Sequence, residues 1–106
     1  MGKQILVVDD EERIRQSLTG VLKDEGYEVL EVRDGVQALK QIETDPPDLV
    51  LLDIWMPGMD GIETLERMKA QIPNLPIIMI SGHANIELAV KATKLGAFDF
   101  IEKPLS

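Results

Sequence analysis

The chain has no cysteine among its 106 residues. Neither a disulfide framework nor a thiolate metal site can therefore be built, nothing requires an oxidising compartment, and a cytoplasmic location is expected. Basic residues are also short, with 11 Lys and Arg against 19 Asp and Glu for a net charge of −8. Such a domain repels the phosphate backbone of nucleic acid and anionic membrane surfaces, so direct binding to either is not expected. Apolar runs stay far below the roughly 20 residues needed to span a bilayer, and Met1-Gly2-Lys3 leads straight into a strand-like run with no targeting segment. Aromatic residues make up only 4% and histidine is present once, as His83, to which no catalytic role is given.

What remains is an aliphatic chain, 44% hydrophobic and 28% charged, with enough apolar side chains for a core and the length of one domain. Ile5-Leu6-Val7-Val8, Leu49-Val50-Leu51-Leu52 and Ile77-Ile78-Met79-Ile80 are short, continuous and β-branched, as parallel strands buried on both faces should be. Val29-Leu30-Glu31-Val32 carries a charge and reads as an edge strand, and Phe98-Asp99-Phe100-Ile101 reads as a strand ended by the following proline. Helical spacing fills the intervals through Ile14, Leu18, Val21 and Leu22, then Val36, Leu39 and Ile42, then Ile62, Leu65 and Met68, and last Ile86, Ala89, Val90 and Thr93. Gly26, Gly96 and Pro46-Pro47 stand where helices should stop. Strict alternation of strand and helix predicts a doubly wound, five-stranded parallel α/β sheet with helices on both faces.

In such a sheet, functional groups gather beyond the carboxyl ends of the strands. Asp9-Asp10, Asp53, Ser81 and Lys103 terminate four separate predicted strands and should meet on one rim. Taken singly, each has a plainer explanation: Asp9-Asp10 as a helix cap and first-turn acid, Asp53 as a turn residue, Ser81 as a cap, Lys103 as a surface charge, Phe100 as core. Together they suggest phosphoryl chemistry. Clustered carboxylates repel unless a cation sits between them, and an oxygen-only set favours Mg²⁺, which accepts phosphate oxygens as further ligands. A lysine and a hydroxyl then supply the remaining charge and hydrogen bond.

Val7-Val8-Asp9-Asp10-Glu11, the run from Leu52-Asp53 through Met56-Pro57-Gly58-Met59-Asp60-Gly61, Ser81-Gly82 and Glu102-Lys103-Pro104 together resemble the receiver domain of two-component response regulators. The resemblance covers essentially the whole chain and implies the flavodoxin-like strand order 2-1-3-4-5. It implies that Asp53 accepts a phosphoryl group from a phosphohistidine on a sensor histidine kinase, or from a small phosphodonor. Asp10, Asp53 and the Trp55 backbone carbonyl would be direct Mg²⁺ ligands, and Asp9 a ligand through water. Lys103 would pair with the phosphoryl oxygens, Ser81 and Phe100 would form the switch, and the Lys103-Pro104 bond would be cis. Trp55 and His83 stand at positions that in the family influence water attack on the acyl phosphate, and a bulky Trp55 should slow it.

Details around Ser81-Gly82-His83-Ala84 and Leu95-Gly96-Ala97 are similar to receivers fused to AAA+ transcriptional activators. Residues 1–106 would then be the receiver of a longer regulator, whose ATPase and DNA-binding output domains do not follow Ser106. The family continues into a fifth helix, whereas this chain stops at Leu105-Ser106, so the sheet beside the first helix should be partly uncovered and a homodimer is a possible consequence. Competing readings are weaker. A small Mg²⁺-dependent phosphatase would need a general acid and a cap, and a flavodoxin-like electron carrier would need a phosphate-binding loop where Asp9-Asp10-Glu11 stands. A degenerate receiver would not keep Asp10, Asp53 and Lys103.

Overall fold

A computed structural model describes residues 2–82 and 85–103. Nine elements alternate in chain order: β1 Gln4–Val8, α1 Glu12–Asp24, β2 Glu28–Val32, α2 Gly35–Thr44, β3 Leu49–Asp53, α3 Gly61–Gln71, β4 Ile77–Ser81, α4 Ile86–Lys94 and β5 Asp99–Glu102. The strands form one parallel sheet in the order β2-β1-β3-β4-β5. The charged β2 is an edge strand, as its sequence required. β3 and β4 each run one residue past the apolar stretch, because the ladder continues through the Asp53–Ile80 and Ser81–Glu102 pairs.

Alternation along the strands divides the core between two faces. One face carries Leu6, Val8, Val50, Leu52, Ile77 and Met79 and is covered by Ala38 and Ile42 of α2, Leu65 and Met68 of α3, and Ala92 of α4. The other carries Ile5, Val7, Leu51 and Ile80 and packs against Leu18 of α1. Truncating a fully buried member such as Leu52 would cost about 2–5 kcal/mol. Beside α1 the second face opens into a groove of about 480 Å³ lined mainly by Ile5, Leu22, Tyr27, Leu49, Leu51 and Ile78.

Helix ends follow local chemistry. Asp34, Asp60 and Asn85 accept backbone N–H groups at the starts of α2, α3 and α4 at 2.8, 2.9 and 2.8 Å. Gly26 and Gly96 turn the chain out of α1 and α4 with φ of 93° and 105°, values that side-chain-bearing residues rarely adopt.

The expected faces need correction in places. In α4 the stripe Ile86, Ala89, Val90, Thr93 is not the core face: Ile86 is 82% exposed and Val90 47%, while Ala92 is buried with Leu88 and Leu95 packed beside it. The helix has two apolar stripes, and spacing alone could not tell which meets the sheet. Val21 and Val36 likewise face outward. β5 begins at Asp99, since the ladder starts at the Ile78–Asp99 pair, and Phe98 is left 75% exposed.

Candidate functional site

The carboxyl ends of the strands form the rim, with β1 at the switch point between β2 and β3. Asp9 follows directly on β1 and is held through its backbone from two sides. Its N–H donates to the Val32 carbonyl at 3.2 Å, and the Arg15 guanidinium of α1 donates to the Asp9 carbonyl at 2.7 Å. Arg15 also lies 3.5 Å from the Glu31 carboxylate, which accepts the Thr19 hydroxyl at 2.8 Å. Asp53 is the last residue of β3 and Ser81 the last of β4. The Lys103 N–H donates to the Ser81 carbonyl at 2.8 Å, which extends the β4–β5 pairing and delivers the lysine to the rim.

Asp9 is fully buried, Asp53 is 3% exposed and Ser81 is fully buried, while Asp10 is exposed. The Lys103 ammonium donates to Asp9 Oδ2 at 2.6 Å and to Asp53 Oδ1 at 3.3 Å. One carboxylate oxygen from each of Asp9, Asp10 and Asp53 lies within 4.8 Å of the others. Three acids thus face one ammonium. Burial, with repulsion from Asp9, pushes the Asp53 carboxyl up from 3.8 to about 6, against the opposing pull of Lys103. Burial alone would lower the Lys103 ammonium, but the hydrogen bond to Asp9 and the charge of Asp53 outweigh it and the net shift is upward. A compact set of hard oxygen donors with an excess of negative charge fits a hard divalent cation such as Mg²⁺.

Of the residues singled out in the sequence, Asp9, Asp10, Asp53 and Lys103 come together and Ser81 sits at the end of the neighbouring strand. Asp9 does not cap α1, whose N-cap is Glu11 with no side-chain bond; its Oδ1 accepts the Glu11 N–H at 2.9 Å in a local turn, while Oδ2 pairs with Lys103. Trp55 is two residues beyond Asp53, with its side chain 52% exposed on a groove shared with Ile62, Leu88 and Leu95. Phe100 stands on β5 opposite Met79, partly buried against the core on the α2–α3 side and not on the rim. His83 and the Lys103–Pro104 bond involve residues outside those described. Arg15 and Gly61 escaped the sequence reading. Arg15 reaches the Asp9 carbonyl from the first turn of α1, and Gly61, which stands inside the quoted run without a role there, donates its N–H to the Ile54 carbonyl at 2.7 Å.

Residues 5–106 match the family described as response regulator receiver domain. The chain is 49% identical over 108 residues to the nitrogen assimilation regulatory protein NtrX of Azorhizobium caulinodans, covering 100% of this chain and 24% of that protein. It is 40% identical to the sporulation initiation phosphotransferase F of Bacillus subtilis, covering 98% of this chain and 84% of that one. The crystal structure of the receiver domain of NtrX from Brucella abortus superimposes with a TM-score of 0.91 at 52% identity, covering 96% of this chain and 87% of that one. The chain thus spans about a quarter of the length of the NtrX protein it matches. Among the described residues, no helix is long and apolar enough to cross a membrane.

Proposed function

The chain belongs to the response regulator receiver domain family, and from that premise we propose that it is a phosphorylation switch whose phosphoacceptor is Asp53. The observation that carries this reading is the Lys103 ammonium shared between Asp9 and Asp53 at 2.6 and 3.3 Å, beside a third carboxylate on the same rim. In the proposed step an Asp53 oxygen attacks phosphorus, the bond to the donor histidine nitrogen breaks, and the nitrogen keeps its electron pair. The product is an acyl phosphate, readily hydrolysed, so the mark is temporary. A sensor histidine kinase supplies the group; turnover of an external substrate forms no part of the activity.

Asp10, Asp53 and the Trp55 carbonyl are assigned to hold Mg²⁺ directly, and Asp9 through water. The cation, when bound, offsets the negative charge that gathers on the phosphoryl oxygens. Lys103 keeps Asp9 and exchanges its longer contact, to Asp53, for those oxygens, and the Ser81 hydroxyl donates to them. The phosphoryl group adds a charge of about −1.5 to −2. Moving the equilibrium from 1:99 to 99:1 takes about 5.5 kcal/mol of differential binding, a scale that several charge-assisted hydrogen bonds approach. Phe100, on β5 next to α4, follows the Ser81 hydroxyl inward and changes the surface there.

We further assign residues 1–106 to the receiver of a longer cytoplasmic regulator, with an AAA+ activator and a DNA-binding domain as the output, on the strength of the NtrX proteins. Intact mass after incubation with Mg²⁺ and acetyl phosphate tests the site. The wild type should gain one phosphoryl group and Asp53→Asn none. Equal uptake by both, or none by the wild type, would overturn the assignment.

A further inference from the structure

Two helices begin at glycines in close quarters, and the quarters differ in kind. A Cβ on Gly35, at the start of α2, would stand 2.3 Å from the Thr64 hydroxyl oxygen and 3.2 Å from the Met59 sulfur, both side-chain atoms. On Gly61, at the start of α3, it would stand 2.0 Å from the Asp53 carbonyl oxygen, 2.6 Å from Ile54 Cα and 2.8 Å from the Asp53 carbonyl carbon, all backbone. Positive φ occurs at Gly26, Gly58 and Gly96 and not at Gly61. Space alone, rather than backbone conformation, therefore excludes a side chain at Gly61.

We infer that Gly61 is a positioning residue for the phosphoryl site: its bare Cα lies close against the Asp53–Ile54 peptide, and its N–H ties the next carbonyl, that of Ile54, to the first turn of α3. The Gly61 N–H donates to the Ile54 carbonyl at 2.7 Å, and Ile54 N–H donates to the Ile80 carbonyl at 3.2 Å. The Asp53–Ile54 peptide is thus held through its Ile54 N–H, and the peptide that follows it through the Ile54 carbonyl. α3 cannot easily retreat. Its start is capped by Asp60, the Thr64 hydroxyl donates to the Asp60 carbonyl at 2.8 Å, and Thr64, Leu65 and Met68 are fully buried. A methyl group at Gly61 must therefore displace the Asp53–Ile54 peptide, by about 1 Å merely to bring the Asp53 carbonyl oxygen from 2.0 to 3.0 Å. Displacements of that size at reacting groups cost on the order of 100-fold. This inference rests on the proposed phosphoacceptor site and adds the residue that aims it.

The test compares wild type, Gly61→Ala and Gly35→Ala by calorimetric Mg²⁺ titration, rate of phosphate uptake from acetyl phosphate, and melting temperature. Both variants should lose stability, since both glycines are crowded. Gly61→Ala should weaken Mg²⁺ binding by about tenfold or more and slow uptake about 100-fold, whereas Gly35→Ala should keep wild-type affinity and rate. Wild-type affinity in Gly61→Ala, or equal losses in both variants, would overturn the inference while leaving Asp53 as phosphoacceptor. No Mg²⁺ binding by the wild type would instead overturn the site assignment. Should Gly61→Ala fail to fold, amide exchange in the wild type decides. Protection of the Gly61 N–H in magnesium-free buffer matching that of Leu52 supports a preformed clamp, and exchange at the rate of an open loop refutes it.

Discussion

Replacing Asp53 by Asn should make the protein more stable, and the size of the gain follows from the rim. Asp53 is 3% exposed and faces Asp9 and Asp10, and its carboxyl titrates at about 6 where an unfolded chain would titrate at 3.8. Between those values the folded state binds more protons than the unfolded state, so stability falls as pH rises. The contribution of this residue is fully present below pH 3.8 and is lost as pH passes through 6. The loss amounts to about 3 kcal/mol, with the attraction of Lys103 already included in the shifted titration. A neutral amide of the same shape avoids it. Thermal melts in magnesium-free buffer from pH 4 to pH 8 should show the two proteins nearly matched at the acid end. By pH 7.5 the Asn variant should lead by about 10 °C or more for a domain of this size. Adding Mg²⁺ should narrow the gap by stabilising the wild type through binding. A variant that melts at or below the wild type at neutral pH, or a gap that does not change with pH, would refute the reasoning.

Two further outcomes concern residues beside Asp53. Lys103→Met removes the ammonium that draws the Asp53 carboxyl down, so the carboxyl should titrate above its wild-type midpoint of about 6 when followed by carbon NMR. With Asp9 left buried and unpaired, the variant should also lose about 3 kcal/mol of stability at neutral pH; an unmoved midpoint would count against the shared ammonium. Trp55→Asn should shorten the lifetime of the Asp53 phosphate severalfold, on the expectation that a bulky side chain two residues beyond the phosphoacceptor limits the approach of water; decay of labelled phosphoprotein measures it, and an equal or longer lifetime rejects the role.

The sheet was legible because its strands announce themselves. Ile5–Val8, Leu49–Leu52 and Ile77–Ile80 are apolar without interruption, as burial on both faces demands, and Glu31 marked β2 as an edge. The strand order was not readable from periodicity and came from the family resemblance. The acids were legible for a related reason: a charge directly after a buried strand must emerge at the sheet's end. Helix faces were harder to read. α4 offers Ile86 and Val90 on one side and Leu88, Ala92 and Leu95 on another, and only the position of the sheet decides between them. Arg15 and Gly61 act through backbone approaches of a helix start to the strand end before it, which depend on how the intervening loop folds back and leave no periodic pattern.

The same rim explains why stability and function oppose each other here. Asp53 would be a better structural residue as an amide, Asp9 needs an ammonium from the far end of the chain, and Asp10 adds repulsion. None of this helps the fold, and all of it favours a bound cation that relieves the repulsion and can take phosphoryl oxygens as further ligands. Lys103 holds the acids together until phosphoryl oxygens compete for it. An ammonium engaged at 2.6 Å with Asp9 and 3.3 Å with Asp53 is bound more loosely to the acid that must react. Phosphorylation therefore has only the weaker contact to replace, and Asp9 can keep the lysine anchored at the rim while its other hydrogen bonds turn to the new group.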